Sequence, residues 1–353
     1  MDALLRRAAE EGASDVQLSA QAPPVFRVNG ALCRLSEPAL SAAELEEGLA
    51  HLGTPEQVER TRERGAAEFS YSLPGVGRFR VSAYRQRGSV SLAIRAIPAH
   101  IPDLDQLGAP ETLHAFTALQ SGLVLIGGPA GSGKSTTLAA MVERINRDRA
   151  VHVITLEDPI EYLHKHRRAI VDQREIGVDC GGFAEGVAAA TRQGADVIVV
   201  GEMSDPAAVS AALTAAGTGQ LVLGAVRQLD VIGAIGYLVD LFPRTQQAQI
   251  GWQLAGVLRG ASAQVLAPER SGGRVAVFEV LVATAGASAL VREGKYAQLR
   301  GVIKAGIRHG MRSFELSWQE LCGKGLCWPE DAPSLLLPRE PAQWRGGVAG
   351  HDA

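Results

Sequence analysis

The sequence predicts a two-domain protein of the α/β class, in which a small α+β unit precedes a larger unit with a mostly parallel sheet. Three observations predict this architecture. The chain has 353 residues, which is longer than a typical single domain. Its first part mixes short strand and helix patterns separated by turn residues, which is typical of an α+β unit. From Gly122 onward, apolar strand patterns and helical patterns alternate, and this alternation predicts a parallel sheet covered by helices on both faces.

The first unit is predicted to extend over residues 1–98. Ser41 and Thr54 are typical N-cap residues, and a proline follows Thr54 at the first helical position. Asn29-Gly30 predicts a hairpin turn between two short strands. Further strands are predicted at residues 66–71, 78–85 and 89–97. A segment rich in proline, residues 99–112, is predicted to be the linker to the second unit.

The second unit is predicted to extend over residues 113–330 and to have a helical C-terminal part. Its strands are predicted at residues 123–126, 151–156, 196–200, 221–223, 261–267 and 275–282, with helices between most of them. The tail, residues 331–353, contains several prolines and a glycine pair, and we expect it to be loose.

Composition excludes several classes of protein. Hydrophobic residues make up 46% and charged residues 21%, as in ordinary globular proteins. A net charge of −3 gives no argument for a nucleic-acid partner. The four cysteines are expected to be reduced, since no second pair or histidine cluster completes a metal site. With neither a signal peptide nor a membrane-spanning run evident, we expect a cytoplasmic protein.

A strand, a glycine-rich loop and a helix follow one another from Gly122 onward. The loop reads Gly128-x-x-x-x-Gly133-Lys134-Ser135. Backbone amides of such a loop converge on phosphate oxygens, and the helix N-terminus adds positive charge. The lysine can reach the β- and γ-phosphates, and the serine hydroxyl suits Mg²⁺. We therefore expect a nucleoside triphosphate with Mg²⁺, the nucleotide being bound by Gly128, Pro129, Ala130, Gly131, Ser132, Gly133, Lys134, Ser135 and Thr136.

Two carboxylates follow predicted strands at the edge where a parallel sheet binds its ligands. Glu157 follows the strand after the loop helix, and Glu202 follows the apolar run 196–200 in the manner of a Walker B acid. Hydrolysis of a phosphoanhydride needs a base for water and a ligand for the metal. We expect Glu157 to be the base, Glu202 to be the acid beside Mg²⁺, and Lys134 to be the third catalytic group. The opposite assignment of the two glutamates stays open, because a sequence gives no distances.

Several segments closely resemble those of the PilT/PilU retraction ATPases of type IV pili, in the secretion ATPase superfamily. They include residues 128–137, 154–161, 173–175 and 200–203, and further matches, several of them specific, extend the resemblance over nearly the whole chain. The resemblance implies that the nucleotide is ATP, and it implies a PAS-like N-terminal domain, a RecA-like ATPase domain and ATP hydrolysis coupled to pilus retraction. It also implies a homohexamer, alone or together with another pilus ATPase. Its place would be the cytoplasmic face of the inner membrane, against the pilus platform protein.

The resemblance further implies that arginines of the N-terminal domain reach the γ-phosphate. Arg78, Arg80 and Arg95 lie in the matching segment, and Arg78 and Arg80, two apart on a strand, face the same side. The main departure is the family's His box, where both histidines are replaced, by Gln220 and Arg227. We therefore expect nucleotide binding to be retained and hydrolysis to be weakened.

Two alternative functions remain open at this point. One is a nucleotide-binding structural or regulatory partner of an active pilus ATPase ring, which would itself hydrolyse nothing. The other is an ATPase of the type II secretion kind, although those usually have a longer N-terminal region and a tetracysteine zinc insert. Binding of ATP without release of phosphate would distinguish the first alternative from a motor.

Overall fold

A computed structural model of the chain describes residues 1–28, 31–97 and 100–333. The predicted hairpin turn at Asn29-Gly30, the predicted domain end at Pro98 with the first linker residue Ala99, and residues 334–353 of the predicted tail lie outside the described residues. Over the described ranges, none of the helices combines the length and apolar character needed to span a membrane.

The first domain is a curved antiparallel sheet with helices packed against it. Its elements are α1 (Asp2–Glu10), β1 (Asp15–Leu18), β2 (Val25–Val28), β3 (Ala31–Arg34), α2 (Ala42–Leu52), α3 (Pro55–Arg64), β4 (Ala66–Leu73), β5 (Gly77–Gln86) and β6 (Ser89–Ile97). The described strands lie in the order β3-β2-β1-β6-β5-β4. Ser41 and Thr54 each accept a hydrogen bond from the backbone three residues on, in a capping box, which confirms the two predicted helix starts.

The second domain has a sheet of parallel strands with one antiparallel strand at its edge. Its elements are α4 (Glu111–Thr117), β7 (Gly122–Gly127), α5 (Lys134–Asp148), β8 (His152–Glu157), β9 (Ile170–Glu175), α6 (Phe183–Arg192), β10 (Val197–Val200), α7 (Pro206–Gly217), β11 (Leu221–Val226), α8 (Val231–Asp240), α9 (Arg244–Val257), β12 (Leu258–Pro268), β13 (Arg274–Val282), α10 (Ala285–Arg292), α11 (Leu299–Ala305) and α12 (Phe314–Gly323). The order is β13-β12-β7-β11-β10-β8-β9. Helix α4 begins inside the segment predicted as a linker.

The central strand β7 explains why this part of the sequence is continuously apolar. Leu123 and Leu125 belong to the core on one face of the sheet, whereas Val124 and Ile126 belong to the core on the other face. Since successive side chains of a strand point to opposite faces, a strand covered on both faces needs apolar residues at every position. The prediction of a parallel sheet buried on both sides is confirmed.

Strand β9 is absent from the sequence prediction. It lies at the edge of the sheet and pairs in parallel with β8 from Ile170 to Glu175. Four of its six residues are polar, Asp-Gln-Arg-Glu after Ile-Val, so its hydrophobic pattern is weak. The omission matters because Gln173 and Glu175 both make contacts beside the candidate site.

Candidate nucleotide-binding site

The glycine-rich loop connects the end of β7 at Gly127 to the start of α5 at Lys134. Gly131 and Gly133 have φ angles of +74° and +89°, in the left-handed region that favours glycine. A Cβ atom at Gly128 would lie 2.3 Å from Ser132 Oγ and 2.5 Å from the carbonyl oxygen of Gln264, so a side chain cannot fit there. At Gly131 it would meet nothing within 4 Å, which means that the loop faces open space on that side. This geometry suits close approach of phosphate oxygens to backbone amides.

Lys134 lies across the loop. Its ammonium group donates hydrogen bonds to the carbonyl oxygens of Gly128 and Pro129, both at 2.8 Å. Burial lowers the pKa of Lys134, and the positive charge of Arg227 lowers it further, while Glu202 and Glu161 act in the opposite sense. The lysine is thus held over the loop, among the charged groups predicted to form the site.

The buried side chain of Gln264, on β12, is hydrogen-bonded both to the loop and to helix α5. Its Nε2 donates to the carbonyl oxygen of Ser132 at 2.8 Å, and its Oε1 accepts from the hydroxyl of Thr137 on α5 at 2.9 Å. Sequence reasoning missed this residue. The available signal was a glutamine in the otherwise small and apolar run Ala261-Ser-Ala-Gln-Val-Leu-Ala267, since a buried amide needs partners for its polar atoms.

Glu157, at the end of β8, is half-buried and held in a hydrogen-bond network. Its Oε1 accepts hydrogen bonds from the Thr155 hydroxyl at 2.7 Å and from Gln173 Nε2 at 3.0 Å. Its Oε2 accepts a longer one, 3.4 Å, from the backbone amide of Glu161. Burial raises the pKa of Glu157, and these hydrogen bonds oppose the increase. A carboxylate with a raised pKa and one oxygen that accepts only a long hydrogen bond is suited to accept a proton.

Next to Glu157, a cavity of about 60 Å³ lies between the start of α5 and the end of β8. Its lining includes Ser135, Glu157, Glu161 and Tyr162. The Tyr162 hydroxyl is 2.8 Å from Thr136 Oγ1, so this contact joins the β8 loop to the helix that follows the phosphate loop. The structure therefore brings Ser135 and Thr136 together with Glu157, as the sequence predicts for one site.

Glu202 has different surroundings. It lies just beyond β10, which is parallel to β8 and adjacent to it. Its Oε2 accepts a hydrogen bond of 2.6 Å from Arg227 Nη2, and the side chains are 28% and 65% exposed. The residue predicted to face the metal is thus ion-paired with one of the two residues that replace the His box.

The two His-box replacements lie at opposite ends of β11. Gln220 directly precedes the strand and accepts a hydrogen bond from the Thr218 hydroxyl at 2.9 Å. Arg227 directly follows it, at the end where the phosphate loop begins. A strand of six residues separates them by about 20 Å. Only Arg227 of the two therefore lies at the phosphate end of the sheet.

The three predicted N-terminal arginines are all paired with acids. Arg78 Nη2 lies 2.5 Å from Glu175 Oε2 in a largely buried contact between the two domains. Arg80 pairs with Glu68 at 2.6 Å and with Glu161 at 3.5 Å. Arg95 pairs at 2.9 Å with Asp15 of its own domain. Arg78 and Arg80 thus both contact the second domain, and Arg80 reaches Glu161 in the segment beside Glu157, whereas Arg95 pairs within its own domain.

The donor set suits Mg²⁺ held mainly by a nucleotide. Among the described residues, no group of three or more histidine, cysteine, aspartate or glutamate side chains could hold a metal ion. Mg²⁺ in phosphate-binding sites commonly uses one or two protein oxygens, with phosphates and water completing the coordination. The hydroxyl of Ser135, the first residue after Lys134, and the carboxylate of Glu202 are of the right kind for this arrangement.

Comparison with known proteins agrees with this site. Residues 1–314 match the family described as type II/IV secretion system protein. The chain is 40% identical over 325 residues to YggR of Escherichia coli K12, covering 92% of this chain and 99% of the relative. It is 37% identical over 329 residues to the type IV pilus retraction ATPase PilT of Pseudomonas aeruginosa, covering 93% and 96%. It is 36% identical over 330 residues to the type IV pilus ATPase PilU of the same organism, covering 93% and 86%.

A solved structure leads to the same conclusion. The crystal structure of the pilus retraction motor PilT with bound ADP superimposes with a TM-score of 0.86 at 38% identity, covering 94% of this chain and 95% of the other. The prediction of an N-terminal domain followed by a RecA-like ATPase domain is confirmed. The chain belongs to the type II/IV secretion system protein family and is an ATPase of its PilT/PilU type.

Proposed function

We propose that this chain is a Mg²⁺-dependent ATPase motor of the type IV pilus retraction kind, with hydrolysis slowed by the changes in its His box. The observation that carries the proposal is the shared cavity beside the phosphate loop. Ser135, at the start of α5, and the half-buried Glu157 both line this cavity, which supports their action at one nucleotide site. A phosphate-binding loop and a base are therefore adjacent, as hydrolysis requires.

Each of these residues has a separate role in the reaction. The loop amides and Lys134 bind the β- and γ-phosphates of ATP, and Thr155 and Gln173 fix the Glu157 carboxylate. Glu157 takes a proton from water as the water oxygen bonds to the γ-phosphorus. The bond from that phosphorus to the β,γ-bridging oxygen breaks, which gives ADP and inorganic phosphate. Mg²⁺ near Ser135 and Glu202 would neutralise charge on the phosphate oxygens.

For assembly, we propose a homohexamer, alone or with another pilus ATPase. The hexamer is what the resemblance to the retraction ATPases implies, and the names of the relatives, a retraction ATPase and a retraction motor, support the motor role. Arg78 and Arg80 lie where the N-terminal domain meets the ATPase domain, which supports a role for them next to nucleotide. The ring would work in the cytoplasm at the inner-membrane base of a pilus, against its platform protein and without nucleic acid.

One observation favours a second function. Arg227 Nη2 donates a hydrogen bond of 2.6 Å to Glu202 Oε2, and this ion pair competes with a metal ion for the same oxygen. If the pair persisted with nucleotide bound, the chain would bind ATP and not hydrolyse it. It would then act as a structural or regulatory subunit of another ATPase ring.

The test is release of phosphate by the purified protein with Mg²⁺ and ATP, measured alongside equilibrium binding of ATP and ADP. We expect binding of both nucleotides and slow release of phosphate. Lys134→Ala should abolish both, since the loop loses its charge on the phosphates. Lys295→Ala, which removes an exposed lysine paired with Glu293, is the matched control and should change neither. Binding without phosphate release would establish the second function, and absence of binding would refute both.

A further inference from the structure

Tyr162 is a buried aromatic residue in the loop that follows β8. Its neighbours in the chain are more accessible to water, since Glu161 is half-buried and Leu163 is exposed. The ring of Tyr162 packs inside the loop, but a buried tyrosine hydroxyl also needs a hydrogen-bond partner. Phenylalanine would fill the same space without that need. The contact that the hydroxyl makes is therefore separate from the packing of the ring.

The partner of this hydroxyl is a residue of the helix that follows the phosphate loop. Tyr162 Oη lies 2.8 Å from Oγ1 of Thr136, in a hydrogen bond in which either hydroxyl can donate. Thr136 is the second residue after Lys134, in the first turn of α5. The bond therefore joins the loop after β8 to the end of α5 at which the phosphate loop stops.

The backbone of the same tyrosine is linked to the Glu157 carboxylate through one side chain. Gln173 Nε2 donates to the carbonyl oxygen of Tyr162 at 2.7 Å and to Glu157 Oε1 at 3.0 Å. Gln173 Oε1 accepts from the backbone amide of His164 at 2.8 Å, so both ends of this amide group are fixed. A continuous series of hydrogen bonds thus runs from the carboxylate to the first turn of α5.

Tyr162 also belongs to the lining of the cavity beside Glu157. This cavity of about 60 Å³ has room for a few water molecules, and Ser135 lines it at the start of α5. The series of hydrogen bonds therefore connects the two sides of the cavity. A change in the distance between the β8 loop and α5 would change the shape of the space between the carboxylate and the phosphate loop.

We propose that Tyr162 is a positioning residue for hydrolysis. Its hydroxyl, bonded to Thr136, fixes the distance between the Glu157 carboxylate and the phosphate loop, so that the base holds water against the γ-phosphorus. Bond formation depends on this geometry, because the reacting atoms must be close and aligned. The inference rests on the proposed function, since it takes Glu157 as the base.

The experiment compares Tyr162→Phe, which removes only the hydroxyl, with the wild type in steady-state phosphate release at varied ATP and varied pH. Thr136→Val removes the other hydroxyl of the pair, and it is measured alone and combined with Tyr162→Phe. Tyr71→Phe is the matched control. It also loses one tyrosine hydrogen bond, of 2.7 Å to Asp2 Oδ1, but within the N-terminal domain. Thermal unfolding of every variant records the effect on stability.

We expect Tyr162→Phe to lower kcat about fivefold, which corresponds to one neutral hydrogen bond, and to change the KM for ATP less than about twofold. The acid limb of the pH–kcat profile should stay in place, because Thr155 and Gln173 still donate to Glu157. With Thr136→Val already present, Tyr162→Phe should cause no further loss of kcat. Tyr71→Phe should match the wild type in kcat.

Three results would refute this role of Tyr162. An unchanged kcat in Tyr162→Phe would mean that the hydroxyl only satisfies its own burial, whatever the effect on unfolding. An equal loss of kcat with and without Thr136→Val would mean that the effect does not pass through Thr136. A shifted acid limb would mean that the hydroxyl changes the pKa of the base and not its position.

A fourth result concerns the proposed function. If the wild type released no phosphate, the function as an ATPase motor would fail, and the role of Tyr162 would fail with it. The other three results all require an active wild type, so the two kinds of failure can be told apart.

Discussion

The two glutamates at the phosphate end of the sheet differ in the groups that contact them. Glu157 ends β8 and is half-buried, with both its oxygens hydrogen-bonded to neutral groups. Glu202 lies just beyond the adjacent strand β10, is partly exposed and is paired with a cation. Burial raises the pKa of Glu157, whereas the carboxylate of Glu202 accepts a hydrogen bond from the guanidinium of Arg227.

This difference teaches how one sheet edge can separate two chemical roles. A carboxylate in an apolar, hydrogen-bonded position is suited to take a proton, while a solvated, ion-paired one is suited to exchange partners with a metal or a phosphate. From sequence alone, the assignment of base and metal-side acid could be exchanged. The geometry favours Glu157 as the base, and four predictions extend the comparison.

The largest effect is expected from removing the charge of each glutamate in turn. Glu157→Gln should lower kcat by about 10³-fold, the usual range for loss of a general base, with ATP affinity kept. Glu202→Gln should instead raise the Mg²⁺ concentration needed for half-maximal activity. Steady-state phosphate release at varied Mg²⁺ measures both. If Glu202→Gln lost more kcat and Glu157→Gln shifted the Mg²⁺ dependence, the roles would be exchanged.

A second contrast concerns two ion pairs of different exposure at the contact of the two domains. Arg78 and Glu175 form a largely buried pair, with 17% and 7% of their side chains exposed, whereas Arg80 and Glu161 are 35% and 37% exposed. Arg78→Ala leaves the buried carboxylate of Glu175 without its ion-pair partner and should lower the free energy of unfolding by about 3 kcal/mol. Arg80→Ala should cost less than about 1 kcal/mol. Denaturant titration measures both, and equal losses would contradict the contrast.

Glu279 is a buried acid outside the phosphate site. It accepts a hydrogen bond from the Val231 amide at 2.8 Å, and burial raises its pKa from 4.5 to about 7. The folded protein therefore holds a proton that the unfolded chain releases between these values, so the wild type loses stability as pH rises through this window. Glu279→Gln keeps the acceptor and cannot ionise.

The variant should therefore gain stability relative to the wild type from pH 4.5 to about 7, reaching about 3 kcal/mol above that range. Thermal unfolding of both proteins at pH 5, 6, 7 and 8 checks it. A constant difference across these values would show that Glu279 does not titrate on unfolding in this window.

The smallest effect concerns the hydrogen bond from Gln173 to Glu157. This bond lowers the pKa of the carboxylate against the effect of burial, so Gln173→Ala should raise the pKa of Glu157 further. A base must be ionised to act, and the acid limb of the pH–kcat profile should move to higher pH. Gln193→Ala, at the far end of α6, is the control. An unmoved acid limb would indicate that another group controls it.

Much of the site was predictable because its signals are local. The phosphate loop is a contiguous motif between a strand and a helix, and Glu157 and Glu202 directly follow apolar runs that end at one edge of the sheet. The contacts that tune these residues are not local. Gln264 meets Ser132 across 132 residues of chain, and Arg227 meets Glu202 across 25. A single sequence gives no measure of such pairings.

Strand β9 was missed for a related reason. An edge strand needs only one hydrogen-bonded neighbour and tolerates polar residues, so its sequence lacks the apolar run that identifies a central strand. Its omission hid Gln173 as a partner of Glu157 and Glu175 as a partner of Arg78. The hydrogen bonding of Glu157, the proposed base, and the contact between domains both depend on this weakly predicted element.

The double hydrogen bond of Gln264 has a mechanical consequence. It joins the loop and helix α5 to β12 through one side chain, so we expect these three elements to move together. We then expect displacement during a nucleotide cycle to appear elsewhere. We expect this displacement at the junction with the N-terminal domain. There the ion pairs of Arg78 and Arg80 can break and re-form while the sheet keeps its conformation.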